Sequence, residues 1–162
     1  VKTLSKSCQS CKSCHPVTRR HQGENVEDEA LTGKIIDCAM KAHRALGPGF
    51  LESVYEQELA HELRKLGLSV ACQEPITVRY DNIVVGHFVA DMRVEKRILI
   101  ENKAVQSLTV AHEAQLVNYL TATGIEIGLL LNFGAESFQV RRKYRTFRPR
   151  QRETEKEPPI SI

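Results

Sequence analysis

Asp91-Met92-Arg93-Val94-Glu95-Lys96-Arg97-Ile98-Leu99-Ile100-Glu101-Asn102-Lys103 is the stretch whose reading decides the fold. A carboxylate closes one apolar run (Val84 to Ala90), and a second run, Ile98-Leu99-Ile100, leads into Glu101 and Lys103. β-branched residues flank Glu95-Lys96-Arg97 on both sides, the pattern of two strands joined by a tight turn. Folding about that turn brings Asp91 opposite Ile100 or Glu101. Residues two apart on a strand share a face and lie about 6.6 Å apart, so Glu101 and Lys103 point the same way. Two carboxylates and an ammonium then converge at the end of a buried hairpin. Such a pair can hold a hard divalent cation through oxygen, with Mg²⁺ keeping several waters. The bound metal acidifies water and polarises a phosphoryl oxygen, and a neighbouring lysine can orient that water or neutralise charge. By itself the spacing is common, and a solvated surface hairpin fits it as well.

Working outward, 162 residues suffice for one domain with a core plus tails. The chain is 41% hydrophobic and 27% charged, an ordinary soluble composition. A net charge of +3 sets up no global field that would declare a nucleic-acid binder. No apolar run approaches the roughly 18 residues of a membrane span, and none reads as a signal-peptide core. The expectation is therefore a cytoplasmic protein without a membrane partner.

Residues 1–27 are polar and basic and are expected to form a disordered leader. They hold Cys8, Cys11 and Cys14, followed by His15, a spacing that could offer thiolates and an imidazole to zinc. An iron–sulfur run would need a fourth cysteine where Thr18 stands. Four ligands within eight residues are cramped for a tetrahedral site, so the leader is expected to hold neither zinc nor an iron–sulfur cluster. Cys38 and Cys72 read as small hydrophobes of the core.

Helical spacing of Leu31, Ile35, Ala39, Ala42 and Leu46 predicts a helix capped by Thr32 and stopped by Gly47-Pro48-Gly49. A second helix runs from Leu51 to Leu66, with Glu52 projecting inside its apolar stripe and Glu62 near the edge of that stripe. An acid aimed at a core needs a partner. Strands follow over Pro75 to Tyr80 and Ile83 to Val94, with Asp81-Asn82 as the hairpin turn, then over Ile98 to Val105. A third helix, Leu108 to Thr123, lines His112, Gln115 and Tyr119 along one edge of its apolar face, as in the wall of a cleft. The continuous apolar run Ile125 to Phe133 reads as a strand covered on both faces. It follows the Glu101 strand through a helix, hence a parallel pairing. Ser137 to Phe147 adds an edge strand. Seven Arg or Lys between Arg141 and Arg152 form a basic run that could meet phosphates or stay solvated. Residues 28–148 are taken as the folded domain, and 149–162 as a disordered basic, proline-containing tail.

Gly49-Phe50-Leu51-Glu52-Ser53-Val54-Tyr55 is a G-x-x-E-x-x-Y string, and over roughly Glu27 to Phe147 the chain resembles the GxxExxY family of the PD-(D/E)xK nuclease superfamily. The likeness extends through Leu46-Gly47-Pro48-Gly49, His112-Glu113-Ala114-Gln115-Leu116 and Leu129-Leu130-Leu131-Asn132-Phe133. It implies an α/β class fold, a restriction-endonuclease-like α/β/α core with a central mixed sheet. Glu52 would be the helical acid of the catalytic site that assists metal binding, Asp91 and Glu101 the ligands of Mg²⁺ or Mn²⁺, and Lys103 the catalytic lysine. Gln115 and Tyr119 match the Q-x-x-x-Y element of RecB-like nucleases near the nucleic acid, with His112 beside them. Two departures stand out: Asn102 replaces the usual apolar residue, and Ala90 stands where the superfamily name has proline. The expected function is metal-dependent hydrolysis of nucleic acid, DNA ahead of RNA. The alternative is a catalytically idle nucleic-acid-binding or regulatory module that keeps the fold. A homodimer is left open, since no residue argues for it.

Overall fold

The computed structural model describes residues 26–146. The expected leader with Cys8, Cys11 and Cys14, and the expected tail, lie outside the described residues. Three helices and five strands follow in the order α1 (Val26–Leu46), α2 (Glu52–Lys65), β1 (Val70–Tyr80), β2 (Ile83–Val94), β3 (Ile98–Lys103), α3 (Val110–Thr123), β4 (Ile127–Asn132) and β5 (Gln139–Tyr144). One sheet takes the strands in sequence order, β1-β2-β3-β4-β5. Every pairing is antiparallel except β3–β4, which the α3 crossover makes parallel. The expected mixed sheet with flanking helices is what the chain builds.

Two hairpins carry the first half of the sheet. Asp81 and Asn82 both have positive φ (45° and 65°), as do Glu95 and Lys96 (51° and 56°). Two consecutive left-handed residues match the right-handed twist of the strands they join; Asp81-Asn82 form a two-residue loop between Tyr80 and Ile83, and Glu95-Lys96-Arg97 a three-residue loop between Val94 and Ile98.

The sheet divides the apolar residues into two cores. Ile98, Ile100, Leu129 and Leu131 face α1 and α2, where they meet Ile35, Tyr55, Leu59 and Leu63. Leu99 and Leu130 face α3, where they meet Leu116, Tyr119 and Leu120. Strict alternation along a strand makes this division. It also explains why the β4 run had to be apolar throughout: both of its faces are covered.

Some local expectations are corrected. The first helix begins at Val26, ahead of the expected Leu31, so Thr32 sits inside it rather than capping it. The Thr32 hydroxyl donates to the Glu29 carbonyl at 3.0 Å and accepts from Arg142 at 2.6 Å. Glu52 is exposed at the first residue of α2 rather than set into its buried stripe. The stripe applies to a continuous helix, and at its first turn the backbone has already left the core. The buried acids of α2 are Glu56 and Glu62. Lys41 and Lys65 bridge Glu62, and those two ammonium groups hold its carboxyl well below the usual range.

Candidate active site

Glu101 and Lys103 lie on the α3 face of β3, at the end where the strand leaves the sheet. Lys103 Nζ donates to Glu101 Oε1 at 2.7 Å. Gln115 Nε2, from α3, donates to the same oxygen at 2.9 Å and to the Tyr119 hydroxyl at 3.0 Å. Glu101 is only 2% exposed. Its second oxygen, Oε2, is buried and has no hydrogen-bond partner. An unpaired buried carboxylate oxygen is costly, and this one is the acceptor of the cluster that no protein donor satisfies. Burial, reinforced by the nearby charge of Asp91, pushes the Glu101 carboxyl up to about 7, although Lys103 pulls the other way. Burial opposes the charge of Lys103 too, but its bond to Glu101 and the neighbouring acids outweigh that and hold it above the usual lysine range.

Asp91 reaches the site from β2 through a break in the strand. Alternation would put Ala90, Met92 and Val94 on one face, yet Ala90 packs on the α3 side while Met92 and Val94 pack on the α1–α2 side. β1 breaks in step: Ile76 is on the α3 side, Val70 and Cys72 on the other. Between the partners Cys72↔Met92 and Glu74↔Ala90 lies Gln73, whose φ is 53°. A non-glycine residue in that region is strained and is usually held by its surroundings. Here the holding group is buried Glu56, which accepts from Gln73 Nε2 at 2.6 Å. Irregularities of this kind re-aim side chains next to active sites. Asp91 Oδ2 accepts the Asn102 backbone N–H at 2.7 Å, which places its carboxylate beside β3. Burial raises the Asp91 carboxyl above its usual value, against the pull of that hydrogen bond and of Lys103.

The G-x-x-E-x-x-Y string has a geometric explanation. Gly49, at φ 113°, occupies a backbone region only glycine enters readily. Tyr55 is fully buried, stacked on Phe133 with ring centroids 4.7 Å apart. Its hydroxyl donates to the Gly47 carbonyl at 2.6 Å and accepts from Phe50 N–H at 3.2 Å. The tyrosine thus ties the loop down one turn after Glu52. Glu52 Oε1 in turn accepts the Ala104 N–H at 3.1 Å, just past Lys103.

Several groups that sequence reasoning missed hold the exit of β3. Asn132, fully buried, accepts from both Val105 N–H and Gly134 N–H at 3.1 Å. A Cβ on Gly134 would lie 2.3 Å from the Ala104 carbonyl carbon, so only glycine allows the two backbones to approach. Glu56 was missed as well, although its spacing from Leu59 and Leu63 carries the helical signal. Asn102 is buried, with Nδ2 on the Met92 sulfur at 3.6 Å and Oδ1 unpartnered.

His112 stands apart from Gln115 and Tyr119. It closes a capping box at the start of α3, its Nδ1 accepting from Thr109 N–H at 3.2 Å. Of the basic run, Arg148, Arg150 and Arg152 lie outside the described residues, and the described members have partners on the protein. Lys143 and Arg141 meet Glu113 of α3, Arg145 meets Glu126, and Arg142 meets Thr32.

A family model described as the PD-(D/E)XK nuclease superfamily matches residues 29–144. The chain belongs to that superfamily. No curated protein and no solved structure gives a match. The fold is that of the PD-(D/E)XK nucleases, and it brings Asp91, Glu101 and Lys103 to one end of the sheet as the spacing predicted. Among the described residues no group of three or more His, Cys, Asp or Glu is gathered as a ready metal cage, and no helix is long and apolar enough to cross a membrane. The donor set nonetheless suits a hard cation. Two carboxylates, one with an orphaned buried oxygen, match the one or two that Mg²⁺ takes when waters and phosphate complete its shell.

Proposed function

We propose that this PD-(D/E)XK protein, of the GxxExxY and RecB-like type, hydrolyses phosphodiester bonds of nucleic acid, DNA ahead of RNA, with Mg²⁺ or Mn²⁺ bound. The observation that carries the reading is the buried Glu101 side chain, with Oε1 fixed by Lys103 and Gln115 and Oε2 left without a protein partner. Asp91 and Glu101 are the residues that would hold the cation, which supplies an acidified water and a polarised phosphoryl oxygen. Gln115 keeps Glu101 oriented, so that Oε2 stays available. Lys103, charged and mostly buried, positions the attacking water or offsets negative charge on the phosphorane. Glu52 fixes the backbone directly after Lys103 and presents a third carboxylate to the rim. Tyr119 and Gln115 line the approach on the α3 side, and His112 secures the helix that carries them.

The test incubates plasmid, linear duplex and single-stranded DNA with the purified protein in Mg²⁺, Mn²⁺ or EDTA. Cleavage is expected only with metal. It should fall by about 10²-fold or more in Lys103→Ala and disappear in Asp91→Ala/Glu101→Ala. Binding without cleavage by the wild-type protein under every metal condition would transfer the reading to an idle binding module. Cleavage surviving intact in Lys103→Ala would remove the proposed lysine chemistry.

A further inference from the structure

A groove of about 460 Å³ opens between β2 and α3, lined by Val78, Phe88, Gln115, Asn118 and Tyr119 among others. Gln115 belongs to both this groove and the site, since the amide that lines it also donates to Glu101 Oε1 at 2.9 Å. Whatever fills the groove is therefore a neighbour of the group held at Glu101. Its walls are mainly apolar, and an amide side chain, Asn118, sits among them. Phe88 dominates the outer wall. It meets Tyr119 in a tilted contact, ring centroids 5.8 Å apart at 46°, and stays 49% exposed. Gly86, two residues before it on the same strand, would place a Cβ only 3.2 Å from the Phe88 ring, so the absence of a side chain there gives the ring its room. β2 pairs with β3 only from Met92 to Val94. The half of β2 that carries Phe88 thus extends past the site as a two-stranded wing with β1.

We infer that this groove takes an unpaired nucleobase next to the scissile phosphate, with Phe88 as the stacking surface, so that the enzyme acts on single-stranded or locally opened nucleic acid. The inference rests on the nuclease reading of the same site and names its substrate class. An aromatic face left open beside the phosphate-processing groups suits a base whose π-face is exposed, and base–aromatic stacking tolerates any sequence. A base still paired in a duplex shows the protein only its edge and has to be turned out of the stack to reach such a groove. An apolar groove that shares Gln115 with the Glu101 carboxylate suits a group covalently attached to the reacting phosphate.

Fluorescence anisotropy decides it, with Ca²⁺ in place of Mg²⁺. Three labelled probes of equal length are compared: an oligodeoxythymidylate, an oligomer with the same phosphates but abasic sugars, and a duplex. The wild-type protein is expected to bind the base-bearing single strand about 5- to 100-fold more tightly than the abasic one. Phe88→Ala should erase that ratio and Phe88→Trp should restore it, the latter showing that the loss is one of stacking and not of folding. Equal affinity of the wild-type protein for base-bearing and abasic strands overturns the inference. So does a preference for duplex that Phe88→Ala leaves unchanged, or failure to bind any probe. A parallel cleavage assay in Mg²⁺ tests the nuclease reading separately. If nothing is cut, hydrolysis is withdrawn, while the anisotropy ratio still decides whether the groove reads bases.

Discussion

Lys103 and Glu101, two residues apart on β3, meet at 2.7 Å with their side chains 13% and 3% exposed. The lysine compensates one oxygen of the acid and leaves the other free. The response of the site to pH follows from that asymmetry.

The first consequence concerns pH. Glu101 holds its proton up to about 7 in the folded state, above the ordinary 4.5, and Asp91 is also raised. For an acid with a raised folded pKa, the native state binds more protons than the unfolded chain between the two values. Stability is therefore fullest below about pH 4.5 as far as this group is concerned, and falls as pH rises toward 7. Differential scanning calorimetry of the metal-free protein from pH 5 to 8 should show this decline. Glu101→Gln should flatten it by on the order of 1–3 kcal/mol. Mg²⁺ competes with the same proton, so it should stabilise the protein more at pH 8 than at pH 5. An identical pH slope in wild type and Glu101→Gln would contradict the burial argument.

Tyr55→Phe keeps the ring stacked on Phe133 and removes only the hydroxyl that ties Gly47 and Phe50. Urea denaturation should register a loss of about 1–2 kcal/mol. Activity is expected to fall further than stability explains, because Glu52 rides on the tethered turn. Unchanged turnover at a temperature where the variant is fully folded would show that the tether does not act on the site.

Gly134→Ala forces a Cβ to within 2.3 Å of the Ala104 carbonyl carbon and 2.4 Å of Val105 N. Backbone has to move on one side or the other. A loss of at least about 1–3 kcal/mol is expected, together with loss of cleavage, because the displaced peptide directly follows Lys103. A thermal midpoint equal to wild type would mean that the two backbones are not locked together as described.

Gln115→Ala removes the second donor to Glu101 Oε1 and the partner of the Tyr119 hydroxyl. Gln115 is only half-buried, so the stability cost should stay near 1 kcal/mol. Calorimetric titration of Mn²⁺ should show weaker binding than in the wild-type protein, since Glu101 loses the group that orients it. Metal affinity that does not change would reduce Gln115 to a lining residue of the groove.

Local pattern made much of this molecule legible in advance. Asp81-Asn82 and Glu95-Lys96-Arg97 are short, turn-forming stretches between β-branched runs, and the tight turns they form fix strand direction without help from elsewhere. Once that register stands, alternation alone sets Glu101 and Lys103 on one face. The uninterrupted apolar run of β4 identified a strand covered on both sides, and a single helix before it required the parallel pairing with β3.

The sequence by itself therefore determined the hairpins, the order of elements and the shared face of Glu101 and Lys103, because each depends on spacing along one stretch of chain. Only the tertiary structure decided which polar groups are buried and what they meet. It placed Glu56 rather than Glu52 inside the protein, turned the hairpin faces over at Gln73 and Asp91, and engaged Lys143 of β5 with Glu113 and Arg145, just beyond it, with Glu126. It left Glu101 Oε2 buried and alone. Burial and pairing are sums over distant neighbours that pack together, and no local period along the chain carries them.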